Sequence, residues 1–307
     1  MRHPSLSLRC LWQGTLVLFA TSPLTAQTGD MSGMHGMHHA GAAPAPVSQK
    51  ARREIDSVAK AVSGLGSMTA AEKNGFQPRF GWIPTMGVHL VSRQKMMNGR
   101  QTDRTAPSQL MFSKINGRDS LVGAAYGYIT ADNDTVRPVL FDGNPSWHEH
   151  PDLAPAGLNL VMLHVWFVPS PDGPFAGTNP NLPFWALGLA PPDSARIRRD
   201  SAFKSFVMRA AVALGEVADS TAILPTLKER PEVAGAIAVH RDSVRALLPE
   251  FRAAQASRDA ARWERVATKA AAQWNAMQAV YLSSAKTPAG RARIERAIAT
   301  ILGEHGE

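Results

Sequence analysis

Cysteine is nearly missing from this sequence: Cys10 is the only one in 307 residues. It lies in an N-terminal stretch that reads as removed on export, so the rest of the chain has no disulfide, no thiolate ligand and no thiol nucleophile. A metal would have to be held by His, Met or carboxylate. A nucleophile would have to be a hydroxyl, a carboxylate or a metal-bound water. The common catalytic frameworks are missing too. There is no GxSxG elbow, no phosphate-binding P-loop, no GxGxxG, no HExxH and no CxxC, and no nucleotide cofactor is expected. Leu11 to Ala20 is the N-terminal apolar run, but it is short and interrupted by Gln13 and Gly14, so no transmembrane segment is expected in the mature chain. The net charge of +8 is not gathered into a block. Basic residues alternate with acids, as in RRDSAFKSF and SRDAARWERVATK, which describes solvated helix faces rather than a nucleic-acid surface.

Arg2 and Arg9 before the apolar run, and Leu24-Thr25-Ala26 after it, have the form of a secretory signal peptide over residues 1–26. The expected location is therefore periplasmic or secreted. Residues 27–47, QTGDMSGMHGMHHAGAAPAPV, hold small residues and Pro with almost no core-forming side chains, and read as a disordered leader. Met31, Met34, His35, Met37, His38 and His39 fall within it. Thioethers and imidazoles suit copper, especially in a chain without thiolates.

The remainder reads as α+β, with a mostly antiparallel β-rich domain, an N-terminal helix before it and a helical C-terminal region after it. Residues 48–192 make the helix and the β part. Ile55, Val58, Ala59 and Val62 share a helix face, and strands are expected at MGVHLVS, SQLMFSKI, SLVGAAYGYI, RPVLF and LNLVMLHVWFVP. Asn116-Gly117 marks a hairpin between the second and third of these. Residues 193–307 are Ala-rich with a 3–4 periodicity, as in the stripe Trp263, Val266, Ala270, Trp274, Met277 and Tyr281, which is a core face. Thr287-Pro288 has the form of an N-cap followed by Pro at the first helical position.

Four histidines fall in or beside the strands: His89 in MGVHLVS, His164 in LVMLHVWFVP, and His148 and His150 in NPSWHEHP, which reads as a loop. Strand alternation puts His164 with Leu160, Met162, Trp166 and Val168, on a strand apolar on both faces, so a buried imidazole is expected there. The face Leu121, Gly123, Ala125 and Gly127 is nearly bare and admits a close approach. Tyr126 and Tyr128 on the opposite face could carry hydroxyls to a polar site. His89 and His164 are expected to project from neighbouring strands into one pocket, with His148, Glu149 or His150 folding over it. Imidazoles with a carboxylate suit copper or zinc.

The set MGVHLV, SQLMF, LVGAAYGYI and MLHVWFVPSPDGPFAGTNP resembles a family of exported bacterial proteins of unknown function. Its pattern is an MGxH strand, an LVGxEY strand, and an LHxW strand running into an NPxGxFAxxNP loop. The resemblance covers roughly residues 50–190. Matching positions are Met86, Gly87, His89, Gly123, Tyr126, His164, Trp166, Gly173, Phe175, Ala176, Asn179 and Pro180. The acid before the family's tyrosine is Ala125 here, and Pro171-Asp172 stands where the family has Asn-Pro. If that acid serves the family's site, Glu149 is the substitute to examine. The resemblance implies an exported domain with paired histidines and supplies no mechanism.

The function expected is binding of copper or zinc in the cell envelope through His89, His148, His150, His164 and Glu149. Met34, His35, Met37, His38 and His39 form an auxiliary site. Two alternatives stand beside it. One is a metal- or His-dependent hydrolase or oxidoreductase working beneath the 169–185 loop, for example with His164 as general base and Asp142 or Glu149 as its orienting acid. The other is a structural or partner-binding envelope protein.

Overall fold

The computed structural model describes residues 47–79, 81–145, 147–150, 154–219 and 231–303. These belong to one compact unit spanning His39–Glu307. The expected signal peptide and the leader ligands Met34, His35, Met37, His38 and His39 lie outside the described residues.

The fold is α+β, with a six-stranded antiparallel sheet between N-terminal helices and a C-terminal helical layer. Helix α1 (Gln49–Ala61) starts at Ser48, whose hydroxyl accepts a hydrogen bond from the Ala51 amide at 3.0 Å. It buries Ile55 and Val58, and Val62 is buried just past its end. Helix α2 (Met68–Lys73) repeats the device with Ser67 as cap. The strands are β1 (Gln77–Pro78), β2 (Val88–Val91), β3 (Gln109–Ile115), β4 (Arg118–Ala131), β5 (His148–His150) and β6 (Leu158–Trp166), in the order β1-β2-β3-β4-β6-β5. A short helix, α3 (Arg93–Met97), follows β2.

The Asn116-Gly117 hairpin forms as expected. Both residues take positive φ, 51° and 77°, as a two-residue type I′ turn demands. RPVLF is not a strand. Residues 137–141 run irregularly, and Leu140 and Phe141 pack against Ile55 and Tyr126 under the sheet. They are buried as side chains while their backbone stays out of the ladder, a distinction that hydrophobicity alone does not draw. Conversely, the HEH segment read as a loop is strand β5. Its pairing with β6 (His148 with Met162, His150 with Leu160) overrides the poor strand propensity of the surrounding Asn, Pro and Ser.

The two sheet faces have different covers. Val88, Leu90, Leu110, Ala124, Tyr126, Leu163 and Val165 lie on the face under the N-terminal helices and the 140–141 segment. His89, Gln109, Met111, Gly123, Ala125, Gly127, Met162, His164 and Trp166 lie on the other, by register. That second face is capped by residues 169–187. Within them α4 (Asn181–Ala186) sends Leu182 to the sheet and Phe184 into the helical core.

Beyond it lie α5 (Ser194–Arg199), α6 (Ser201–Ala218), α7 (Pro231–Ser257), α8 (Ala260–Ser283) and α9 (Pro288–Leu302). Of the stripe, Val266, Ala270, Trp274, Met277 and Tyr281 are buried, and Trp263 is half-buried at its start, packed against the same core. Each large apolar side chain so buried contributes about 1.5–3 kcal/mol. Thr287 caps α9 by accepting from the Gly290 amide at 3.1 Å. Two contacts lock this layer to the sheet region. The α6 backbone at Gly215 comes so close to Pro84 that a Cβ there would stand 2.9 Å from the proline Cα, and Thr85 Oγ1 donates to the Ile301 carbonyl at 2.7 Å. No helix among the described residues is long and apolar enough to cross a membrane.

Candidate functional site

His89 and His164 do not stand on neighbouring strands. β3 and β4 lie between β2 and β6. On a flat sheet three strand spacings would separate the backbones by about 14 Å. Yet the two Nε2 atoms are 3.5 Å apart. Both rings lean inward over β4, whose residues on this face are Gly123, Ala125 and Gly127. The room over Gly123 is taken by the Met111 methyl and that over Gly127 by the Gln109 amide, so these side chains lie low on the sheet beside the imidazoles. A register shift at Met111/Phe112 pairs Met111 with Gly123 and Phe112 with Leu121, leaving Val122 as an extra residue. Such a bulge adds the local twist that lets the sheet curl toward this face.

Strand β5 brings the other two imidazoles. His148 and His150 are two residues apart on an extended segment, so their side chains fall on one side. Their ring centroids are 5.0 Å apart, and His148 stands edge to face against His164 at 4.8 Å. The His89–His164 centroids are 5.4 Å apart. All four strand-region histidines thus meet in one cluster on one sheet face. His89, His150 and His164 are buried and His148 is partly exposed, which puts the open side at the β5 edge.

The capping segment sets the orientation of His164. Its Nδ1 lies 2.7 Å from the Gly177 carbonyl. A carbonyl can only accept, so Nδ1 carries the proton and Nε2 keeps its lone pair, pointed at His89. Trp166 holds that segment in place. Its indole N–H donates to the Ala176 carbonyl at 2.7 Å, and its backbone N–H donates to the Pro174 carbonyl at 2.7 Å.

Burial opposes protonation here. Desolvation lowers the His89 pKa to about 4, with the charge of nearby His150 acting the same way. Desolvation also pushes His164 well below its ordinary value, and His148 and His89 add to it against the upward pull of the Gly177 carbonyl. The buried pair is therefore neutral at neutral pH, the state that donates lone pairs.

Other expectations fail. Glu149 alternates to the opposite face of β5. It is exposed, pairs with Arg137 and accepts from Asn159 Nδ2 at 2.5 Å, so it supplies no carboxylate to the cluster. Asp142 is bound to Ser48 at 2.6 Å and Lys50 at 3.1 Å at the start of α1. Neither acid orients His164. The position is held by a backbone carbonyl instead. Tyr126 and Tyr128 turn their hydroxyls away from the histidines, to the backbone carbonyls of Arg104 and Val136. Surface clefts of about 310 Å³ (around Lys50, Glu54 and Asp142) and about 350 Å³ (around Arg196, Phe203 and Trp263) contain none of the four histidines.

Among the described residues, no group of three or more His, Cys, Asp or Glu side chains is already arranged to hold a metal ion. The His89/His164 pair nonetheless has a ligand-like bite. Two nitrogens each ~2.0–2.1 Å from a tetrahedral zinc ion are ~3.4 Å apart. His148 and His150 stand with their rings tilted or edge-on to their neighbours, and a turn about the ring axis redirects their nitrogens.

Sequence reasoning passed over Gly177, which acts through its backbone carbonyl and leaves no composition signal, and met Trp166 only as a face and motif position, without its indole bond to the cap. Gln109 was visible as a polar residue inside the apolar run SQLMF, two positions before Met111 and on the histidine face. No protein-family model, curated protein or solved structure matches this chain.

Proposed function

We propose that this protein binds a transition metal, copper or zinc, in the cell envelope, through His89, His164, His148 and His150. One observation carries the reading: four imidazoles gather on one sheet face, with the His89 and His164 Nε2 atoms 3.5 Å apart. Buried neutral imidazoles are good ligands for Zn(II), Cu(II) and Ni(II). The Gly177 carbonyl on His164 Nδ1 is the kind of outer partner that fixes tautomer and ring direction in metal-binding histidines. The ion would sit between His89 and His164, and His148 and His150 would turn in from β5. The export expected from residues 1–26 and the Met/His segment at 31–39 agree with a role in handling an envelope metal. Within this reading the exported family resembled above would be a family of metal-binding domains.

Elemental analysis and metal titration of the mature protein, purified without a polyhistidine tag, test it. The background is a full chain in which Met34, His35, Met37, His38 and His39 are changed to Ala, so that the leader cannot supply the metal. The expected result is near-stoichiometric copper or zinc that is lost when His89 and His164 are both replaced by Ala. Unchanged metal content in that double variant, or none in the background chain, overturns the reading.

A further inference from the structure

The histidine face contains an amide that the histidines do not explain. Gln109 is fully buried, and neither its side-chain oxygen nor its side-chain nitrogen has a hydrogen-bonding partner among the described residues. A carboxamide buried in that state is costly, and native structures keep such groups only where something answers them. Its location is specific. Gln109 pairs with Ala125, which pairs with His164, so it lies in the same cross-strand row as that histidine. The side chain reaches from β3 over β4, to where a Cβ on Gly127 would stand 2.5 Å from Nε2. Gly127 lies opposite Met162, and Met162 lies opposite His148. The amide therefore lies over the bare middle strand beside Met162, in the row that Met162 shares with His148 and one step from the row of His164.

Charge points the same way. Imidazoles ligate a metal as neutral groups, so four of them would leave the charge of a divalent ion uncompensated, and the one carboxylate on β5, Glu149, faces away. Such an ion attracts a small anionic ligand from solution, and a buried donor beside it stabilises that ligand.

We propose that Gln109 hydrogen-bonds a small exogenous ligand carried by the metal, of the hydroxide, water or small-anion class, so that the centre has an open coordination position and is not closed by protein ligands. The inference rests on the metal reading above. It makes Gln109 a binding residue for the metal's own ligand, and places the centre with sites that exchange a small molecule rather than with purely structural ones.

The test uses the full chain with the leader ligands replaced as above, loaded with one equivalent of Cu(II) and titrated with azide. Azide-to-copper charge-transfer absorption and electron paramagnetic resonance report binding. Saturable azide uptake is expected. Gln109→Met should weaken it by about tenfold to a hundredfold, the effect of losing one hydrogen bond to a charged group, while copper stoichiometry is unchanged. Gln109→Leu serves as a second variant. Because the amide has no partner among the described residues, neither change should destabilise the metal-free chain. Retained copper without an azide response overturns the open position and leaves the metal reading standing. Equal azide affinity in wild type and Gln109→Met removes Gln109 from the site. Failure of the background chain to hold Cu(II) overturns this proposal, and failure to hold Zn(II) as well overturns the metal reading with it.

Discussion

Replacing Gly123 by Ala is a sharp test of how the histidine face is built. A Cβ at that position would stand 2.5 Å from Met111 Cε and 2.6 Å from the Val165 carbonyl oxygen. The methyl of Met111 can swing away at little cost. Val165 cannot, because its backbone belongs to the β4–β6 ladder, where it pairs with Ala124. Restoring an ordinary contact of 3.4 Å needs the strands to part by about 0.8 Å. Overpacking of this kind costs about 1–3 kcal/mol, against a gain of about 0.5–1 kcal/mol from removing a flexible glycine. The net expectation is a loss of up to about 2.5 kcal/mol, centred on about 1 kcal/mol, or up to roughly 10 °C in Tm for a chain of this size. The displacement falls between the strands that carry His89 and His164, so metal uptake should weaken as well. Gly235 in α7 is the control. It is exposed, and an added Cβ would meet nothing within 4 Å, so Gly235→Ala should stabilise by about 0.5–1 kcal/mol. Denaturant titrations of both metal-free variants give the comparison. A Gly123→Ala protein stabilised as much as Gly235→Ala would refute the close-approach argument.

Other expectations follow from the same structure. Glu216 is buried among α6, α7 and α8, bonded to Arg241 at 2.7 Å and to the Tyr281 hydroxyl at 3.3 Å, and desolvation outweighs Arg241 in raising its pKa from 4.5 to about 7. A raised folded value means its stabilisation is complete below pH 4.5 and is lost as pH rises through about 7. The amount is on the order of 3 kcal/mol. Glu216→Gln should flatten unfolding free energy across that window, and an unchanged pH profile would count against it. Trp166→Phe removes the donor to the Ala176 carbonyl, and nitrogen-15 spectra of His164 should then show a mixture of tautomers in place of one protonated at Nδ1. A spectrum identical to wild type would show that the indole does not hold the cap. Thr287→Ala should cost about 1 kcal/mol of stability, as loss of an N-cap does, measured by thermal unfolding.

Much of the fold was legible in the chain because local rules and burial agreed. Asn116-Gly117 has one good conformation, a tight turn with both φ positive, and it made the β3–β4 hairpin. The α8 stripe from Trp263 to Tyr281 read as a core face, and from Val266 on it is fully buried. The candidate histidines were legible as residue types, since imidazoles in apolar strands stand out against their neighbours. Their arrangement was not. Residues 148–150 have weak intrinsic preference for a strand, and pairing with β6 supplied what propensity did not. RPVLF had the composition of a strand, but its place under the sheet left its backbone unpaired.

By itself the sequence determined which chemistry was available: no thiolates in the body of the chain, four histidines near strands, and a β4 face of small residues. Only the tertiary structure decided who meets whom. Strand order put two strands between His89 and His164, and the curl of the sheet with small residues on β4 brought their Nε2 atoms to 3.5 Å across that gap. Strand parity sent Glu149 away from the histidines on either side of it. Neither result is local. Each follows from which strands pair and in what register, a choice settled by the packing of the whole sheet.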